Sequence, residues 1–115
     1  MTAFRAISLP AHGAMEIALG LVTMVAPFLL GFGAAAGITS LLIGLVIVGA
    51  ALNTIDPRSI NVGAHYALDH VMALTMLVAA LALGILAGDR HATAYLAAAA
   101  IAQLGLNVTT RYTAA

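Results

Sequence analysis

The stretch RAISLPAH at residues 5–12 returns further along the chain as RSINVGAH at residues 58–65. The two stretches share an arginine, an isoleucine, an alanine and a final histidine at matching places. The two histidines, His12 and His65, are separated by 53 positions (65 − 12 = 53). A repeat of this length indicates that the chain consists of two related halves.

The same offset also matches residues with defined roles in helices. It carries Ser8 onto Asn61, and both residue types cap helix N-termini. One helical turn after each histidine, it carries Glu16 onto Asp69. Each half is therefore predicted to open on a capped helix that carries a histidine and a carboxylate on one face.

The composition indicates a membrane protein. Of the 115 residues, 63% are hydrophobic and 7% are charged, and the mean hydropathy is +1.12. Soluble domains carry about a quarter charged residues, so this chain needs an apolar solvent, and the lipid bilayer is its predicted partner. The net charge of zero gives no indication of nucleic acid as a partner, and the absence of cysteine excludes disulfides and thiolate metal ligands.

Four apolar segments are long enough to cross the roughly 30 Å hydrocarbon layer of a bilayer as helices. We predict an all-α membrane protein whose four transmembrane helices form two tandem hairpins, related by a pseudo-two-fold axis along the membrane normal. The hairpins occupy residues 1–54 and 55–115 and make one compact four-helix bundle. The predicted helices cover residues 10–32, 38–54, 62–86 and 92–108, with an uncharged turn at residues 33–37.

The arginines predict the orientation in the membrane. Arg5, Arg58 and Arg111 lie on one side of a four-span topology, and Arg90 lies on the other. Cytoplasmic loops of membrane proteins carry an excess of arginine and lysine. Both termini are therefore expected in the cytoplasm.

One face of the first helix and one face of the third helix are polar at the start and mostly small further along. Such a face is expected to lie against its repeat partner rather than against lipid. At 100° per residue, the two faces collect His12, Glu16, Gly20, Thr23, Pro27 and Gly31, and His65, Asp69, Ala73, Met76, Ala80 and Gly84.

The polar ends of these faces form the candidate site, which consists of His12, Glu16, His65 and Asp69. An ionisable group at this depth in a membrane needs a partner, and a histidine four residues away is within reach. Other polar residues at the same end of the bundle are expected to support the carboxylates. These supporting residues are Arg5, Arg58, Gln103 and Asn107.

Three interpretations of this cluster remain open. It can be a structural clamp, in which histidine–carboxylate and arginine–carboxylate contacts join the first and third helices. It can bind a divalent metal such as zinc, iron or manganese through all four side chains, or pass protons. It can also hold one haem, with His12 and His65 as its axial ligands.

Three functions correspond to these interpretations. The first is a non-enzymatic structural or accessory subunit that binds other membrane subunits or a second copy of itself. The second is a metal- or haem-binding membrane protein with its site near the cytoplasmic face. The third is a small transporter or proton path. The apolar character of the two helix faces beyond Thr23 disfavours this function.

Pro27 lies inside the first predicted helix. Because proline has no backbone N–H, it leaves the carbonyl of Thr23 without its helical hydrogen bond and favours a kink. We expect this kink to serve packing.

The opening Arg-x-Ile-x-x-x-Ala-His-x-x-x-acid, followed by Ala26-Pro27-Phe28 and Leu30-Gly31-Phe32, resembles the SPW repeat family of small bacterial membrane proteins. That family is named for a Ser-Pro-Trp motif late in the first helix of each repeat, and Ala79-Ala80-Leu81 stands there in the second half. The resemblance implies two repeats of two helices and a bacterial inner membrane. It implies no activity.

Overall fold

A computed structural model describes residues 5–54 and 61–112. Within these ranges the chain is helical, without a strand, and each of its four helices is long and apolar enough to cross a membrane. The predicted fold class is therefore confirmed for the helices, while the pseudo-two-fold relation between the halves stays a prediction. The helices are α1 (Leu9–Leu30), α2 (Ala34–Leu52), α3 (Val62–Leu86) and α4 (Arg90–Thr109).

The repeated caps begin α1 and α3 as the sequence predicts. The Ser8 hydroxyl accepts a hydrogen bond from the backbone N–H of Ala11, and the Asn61 side chain accepts one from Ala64. Each cap satisfies a backbone donor that the first helical turn leaves free. The two helices therefore place equivalent residues at equal depth.

The first interhelical turn is shorter than predicted. Gly31 adopts the left-handed conformation at φ 68° and ends α1, and α2 already begins at Ala34. The prediction of a turn over residues 33–37 was therefore wrong, because alanine is the strongest helix former and continues a helix wherever the backbone allows it. The start of α4 is also earlier than predicted, since the Asp89 carboxylate caps it by accepting from the N–H of Ala92.

The helices pack in sequence order around the bundle. α1 lies mainly against α2, and α3 lies mainly against α4, with smaller contacts between α1 and α4 and between α2 and α3. Large apolar side chains such as Leu29, Ile85 and Leu86 point outward, where a lipid bilayer contacts them. The interior contains small residues together with Ile47, Met76 and Leu96.

The start and the end of the described chain meet at one end of the bundle. The N–H of Ile7 donates to the carbonyl of Thr109 at 3.1 Å, and the N–H of Arg111 donates to the carbonyl of Ile7 at 2.8 Å. These bonds make an isolated parallel bridge between Ile7 and Thr110. The segment after α4 is thereby held across the end of the bundle.

Pro27 lies within α1, and its missing N–H has a specific compensation. The Ser40 hydroxyl of α2 donates to the freed carbonyl of Thr23 at 2.6 Å. The Thr23 hydroxyl in turn donates to the carbonyl of Leu19 and shares a hydrogen bond with the Tyr95 hydroxyl. A small polar network therefore joins α1, α2 and α4 in the middle of the bundle.

Candidate metal centre

The repeat places the four candidate ligands at the same depth in α1 and α3. Glu16 is seven residues after Leu9, the first residue of α1, and Asp69 is seven residues after Val62, the first residue of α3. At 1.5 Å per residue, both carboxylates lie about 10 Å along their helices. Each histidine lies one turn earlier on the same face, so each helix presents an imidazole and a carboxylate toward the bundle axis.

The four side chains meet in a closed ring of alternating nitrogen and oxygen atoms. His12 Nε2 lies 3.2 Å from Glu16 Oε1 and 2.9 Å from Asp69 Oδ2. His65 Nε2 lies 3.4 Å from Glu16 Oε1 and 3.2 Å from Asp69 Oδ2. One ligand atom from each of the four residues lies within 4.8 Å of the others. The sequence predicted these four residues as one cluster, and the structure brings them together.

The ring is sealed from its surroundings. The exposed fractions are 0% for His12, 2% for Glu16, 3% for His65 and 2% for Asp69. Two carboxylates at this depth need compensating positive charge, because an unpaired ion in an apolar medium is strongly disfavoured. That charge can come from protons on the imidazoles or from a metal ion.

A hydroxyl outside the ring determines which nitrogen of His12 faces it. The Thr110 hydroxyl donates its only proton to the carbonyl of Leu106 at 2.6 Å. It must therefore accept the 2.7 Å hydrogen bond from His12, so His12 Nδ1 carries a proton. In neutral His12 the Nε2 lone pair then faces two carboxylate oxygens. This arrangement is repulsive unless a cation lies between them.

His65 has no hydrogen bond that would explain its position. Both of its ring nitrogens, and Glu16 Oε1, lack a hydrogen-bond partner among the described residues. Carboxylate oxygens are close to His65 Nε2, but at angles that do not fit hydrogen bonds. Buried polar atoms are almost always satisfied in proteins, so an unmet group in the ring points to a missing partner.

The size of the ring fits a first-row transition metal. Four atoms with sides of about 3.2 Å share a centre that lies about 2.0 Å from each in a tetrahedron, and about 2.3 Å in a flat square. Zinc bonds to histidine nitrogen and carboxylate oxygen at about 2.0–2.2 Å. A porphyrin does not fit the same space, because both carboxylate oxygens lie between the two imidazoles.

Further hydrogen bonds orient the two carboxylates. Gln103 of α4 donates to Glu16 Oε2 at 2.7 Å and to Asn107 Oδ1 at 2.8 Å. Tyr112 donates from its hydroxyl to Asp69 Oδ2 at 2.7 Å. Burial and the neighbouring carboxylate of Asp69 raise the pKa of the Tyr112 hydroxyl above its usual range, so it stays a donor at neutral pH. Metal-binding carboxylates in proteins are typically held in this way.

The predicted supporting residues have different positions. Gln103 contacts a carboxylate. Asn107 instead accepts a hydrogen bond from Gln103, and its Oδ1 lies 3.3 Å from the Tyr112 hydroxyl. Arg5 was predicted to pair with a carboxylate. In the structure its guanidinium donates to the backbone carbonyl of Thr110 at 2.9 Å. Arg58 lies outside the described residues.

Sequence reasoning missed Thr110 and Tyr112 as parts of the site. The signal that could have found them is the spacing of the arginines, since Arg111 follows Arg58 by 53 positions (111 − 58 = 53). The segment around Arg111 therefore returns to the bundle end where each half begins. The Tyr112 hydroxyl reaches into the ring and bonds Asp69.

Beyond the ring, the inward faces of α1 and α3 are closed to water. Thr23 is buried and bonded to neighbouring helices, and Met76 and Leu96 are fully buried in the same part of the bundle. The other two histidines do not join the cluster. His70 contacts the carbonyl of Tyr66, and His91 is exposed at the opposite end of the bundle.

Comparisons with protein families, with characterised proteins and with solved structures find no match for this chain. The resemblance to the SPW repeat family therefore stays a prediction from the sequence. The proposal for its function rests on the two imidazoles and two carboxylates of the ring.

Proposed function

We propose that this protein is an integral membrane protein that binds one divalent transition-metal ion at the bundle axis. The ligands are His12, Glu16, His65 and Asp69, two from each half of the chain. The observation that carries the proposal is the closed ring of two nitrogens and two oxygens with sides of 2.9–3.4 Å. Imidazole together with carboxylate suits zinc, iron and manganese.

Charge balance is consistent with a divalent ion. Two ionised carboxylates and one ion of charge +2 give a neutral centre, which is the state of lowest cost inside a membrane. Both histidines then remain neutral and offer lone pairs, and the proton on His12 Nδ1 leaves its Nε2 free to do so. The same ion would bind Glu16 Oε1 and His65 Nε2, two of the buried atoms without a hydrogen-bond partner.

A structural clamp is the second candidate function. It is favoured by the 2.9 Å hydrogen bond between His12 Nε2 and Asp69 Oδ2, which would be charge-assisted if His12 were protonated. In this case the protein would serve as a scaffold or accessory subunit without a metal. His65 fits the clamp less well. If it were protonated, its Nδ1–H would be a buried donor without an acceptor, and its Nε2–H would lie 3.2 Å from Asp69 Oδ2 and 3.4 Å from Glu16 Oε1 without the geometry of a hydrogen bond.

The placement in the cell is part of the proposal. Arg5 and Arg111 lie at the bundle end that carries the ring, and Arg90 lies at the other end. From the positive-inside tendency we propose that both termini and the metal site lie on the cytoplasmic side. The resemblance to the SPW repeat family implies that the membrane is a bacterial inner membrane. We propose no catalytic activity, and we place the chain in the SPW repeat family on its repeated motif alone.

The metal and clamp proposals are separated by metal content. Detergent-purified protein is loaded with zinc or manganese, freed of unbound metal, and analysed for bound metal per chain. Binding of one ion per chain, lost in the His12→Gln/His65→Gln variant, supports the metal site. The His70→Gln/His91→Gln variant is the matched control, because it removes the other two histidines and should keep the ion. A metal-free protein that the first variant destabilises would establish the clamp.

A further inference from the structure

Residues 110–112, which follow α4, cover the ring of ligand atoms at the end of the bundle where α1 begins. Thr110 is fully buried, and Tyr112 is half-buried with its ring 5.3 Å from the His12 ring and 6.5 Å from the His65 ring. Tyr112 also packs edge-on against Tyr66 of α3 at 4.8 Å between ring centroids. Among the described residues, this segment lies between the four ligands and the aqueous end of the bundle.

The opposite direction is closed. From the ring toward the far end of the bundle, the buried side chains of the α3 face are Ala73, Met76, Ala80 and Leu83. The buried Thr23 of α1 is engaged with Tyr95 and with the carbonyl of Leu19. The hydroxyls on this path are engaged with one another or with backbone carbonyls, and among the residues that the structure describes no charged side chain is buried there. Exchange of a metal through the far end is therefore strongly disfavoured.

The covering segment is attached both to the chain and to the ring. Two backbone bonds and the guanidinium of Arg5 fix it to the segment before α1. Thr110 holds His12, a ligand of the first half, and Tyr112 holds Asp69, a ligand of the second half. Closure of the segment and completion of the ring therefore depend on the same hydrogen bonds. A metal ion that needs oriented ligands favours the closed segment, and the closed segment retains the ion.

We propose that Tyr112 is the gate of the metal site. Metal ions enter and leave at the end of the bundle that carries Arg5 and Arg111, and the segment after α4 lifts off to let them pass. The inference rests on the proposed metal-binding function and adds to it a route and a residue that controls exchange. Tyr112 acts in two ways, since its aromatic side chain covers the site and its hydroxyl positions Asp69.

Two substitutions separate these two roles. Tyr112→Phe keeps the aromatic ring that covers the site and removes the hydrogen bond to Asp69. It should weaken metal affinity by about tenfold. Its effect on the rate of metal release should be smaller than that of Tyr112→Ala. Tyr112→Ala removes both, so zinc release to an excess of a water-soluble chelator should be faster than in the wild type by about tenfold or more, and zinc uptake should also be faster. A residue with only a structural role would not accelerate uptake.

Tyr95→Ala is the matched control. Tyr95 is half-buried like Tyr112, but its hydroxyl bonds Thr23 near the middle of the bundle, so its loss should leave both rates unchanged. Helical content by circular dichroism confirms that each variant is folded. Equal rates in Tyr112→Ala and wild type, with one bound ion in both, would overturn the gate alone. Wild-type protein that binds no zinc or manganese would overturn the metal site and the gate together.

Discussion

Thr110 is the residue that fixes the chemistry of His12. Its hydroxyl donates to the carbonyl of Leu106 and accepts from His12 Nδ1, so the Nε2 lone pair is turned toward Glu16 and Asp69. A serine in this place could make the same two bonds, while a valine could make neither. The identity of one hydroxyl thus determines whether His12 is ready to bind a metal.

Substitution Thr110→Val is expected to lower metal affinity by about 10- to 100-fold, because His12 loses the acceptor that orients it. Thr110→Ser should restore most of the affinity. Thr109→Val is the control, since the Thr109 hydroxyl bonds only the carbonyls of Gly105 and Leu106. Isothermal titration with zinc measures all four proteins. Equal affinity in Thr110→Val and wild type would contradict the role of Thr110.

Ser40 compensates the backbone carbonyl that Pro27 leaves free. Ser40→Ala leaves the Thr23 carbonyl without this donor inside the bundle and should destabilise the fold by about 1 kcal/mol. Thr39→Ala, one residue earlier, removes an exposed hydroxyl that bonds only its own helix, and should change stability little. Thermal unfolding in detergent compares the two variants. A Ser40→Ala protein as stable as Thr39→Ala would show that the carbonyl has another donor.

At the scale of single residues, the sequence predicts the ligands better than their surroundings. The repeat of His12 and Glu16 at His65 and Asp69 was enough to place the four together, because equal spacing from equal caps gives equal depth. Thr110 was not predicted, because its role depends on how the chain turns back after α4. No local pattern specifies such a turn.

At the scale of helices, α1 and α2 approach closely through two glycines. A Cβ atom added to Gly44 would lie 2.6 Å from the carbonyl oxygen of Gly20, and one added to Gly20 would lie 2.9 Å from that of Gly44. Small residues at such a crossing let membrane helices pack backbone to backbone. Gly49 of α2, by contrast, is exposed, and a Cβ added to it would meet no neighbour.

The two glycines of α2 give a matched test of this contact. Gly44→Ala should separate α1 from α2 and lower the thermal stability in detergent. Its new methyl group meets the backbone of Gly20 and Met24 as well as the Met24 side chain, and the backbone cannot move aside as a flexible side chain can. Gly49→Ala adds the same methyl group in open space and should be neutral or slightly stabilising, since alanine favours the helix. If both variants had the same stability, the close approach of the helices would be in doubt.

Helix ends were predictable where a cap or a breaker is local, and less so elsewhere. The bounds of α3 agree with the prediction at residues 62–86, since Asn61 marks its start. The starts of α2 and α4 were placed four and two residues late. The alanines after Gly33 extend α2, and Asp89 caps α4 while also accepting from the N–H of Gly33 in the other hairpin. That second bond is a tertiary contact, which no pattern within one segment reveals.

At the scale of the whole molecule, the ring joins two hairpins that otherwise share few contacts. Each hairpin packs mainly within itself, and each contributes one histidine and one carboxylate to the ring. An ion bound by all four side chains therefore connects the halves. Binding to the folded state alone stabilises it by an amount that grows with metal concentration.

Metal should consequently raise the thermal stability of the bundle. At a free zinc concentration 100 times the Kd, the expected gain is about 2.7 kcal/mol, and it should vanish in the His12→Gln/His65→Gln variant. The gain should also decrease as the pH falls, because protons compete with the metal for the histidines and carboxylates. Unfolding in detergent at several zinc concentrations measures this effect. An unfolding temperature independent of zinc would contradict a metal that joins the halves.

The most direct test of the central claim is X-ray absorption spectroscopy of the zinc-loaded protein in detergent. A metal ion between α1 and α3 should show four nitrogen or oxygen ligands at about 2.0–2.2 Å, with the outer-shell scattering of two imidazoles. The same spectrum should be retained in His70→Gln/His91→Gln. A zinc ion surrounded by water oxygens without imidazole scattering, or no retained zinc at all, would contradict a metal centre between α1 and α3.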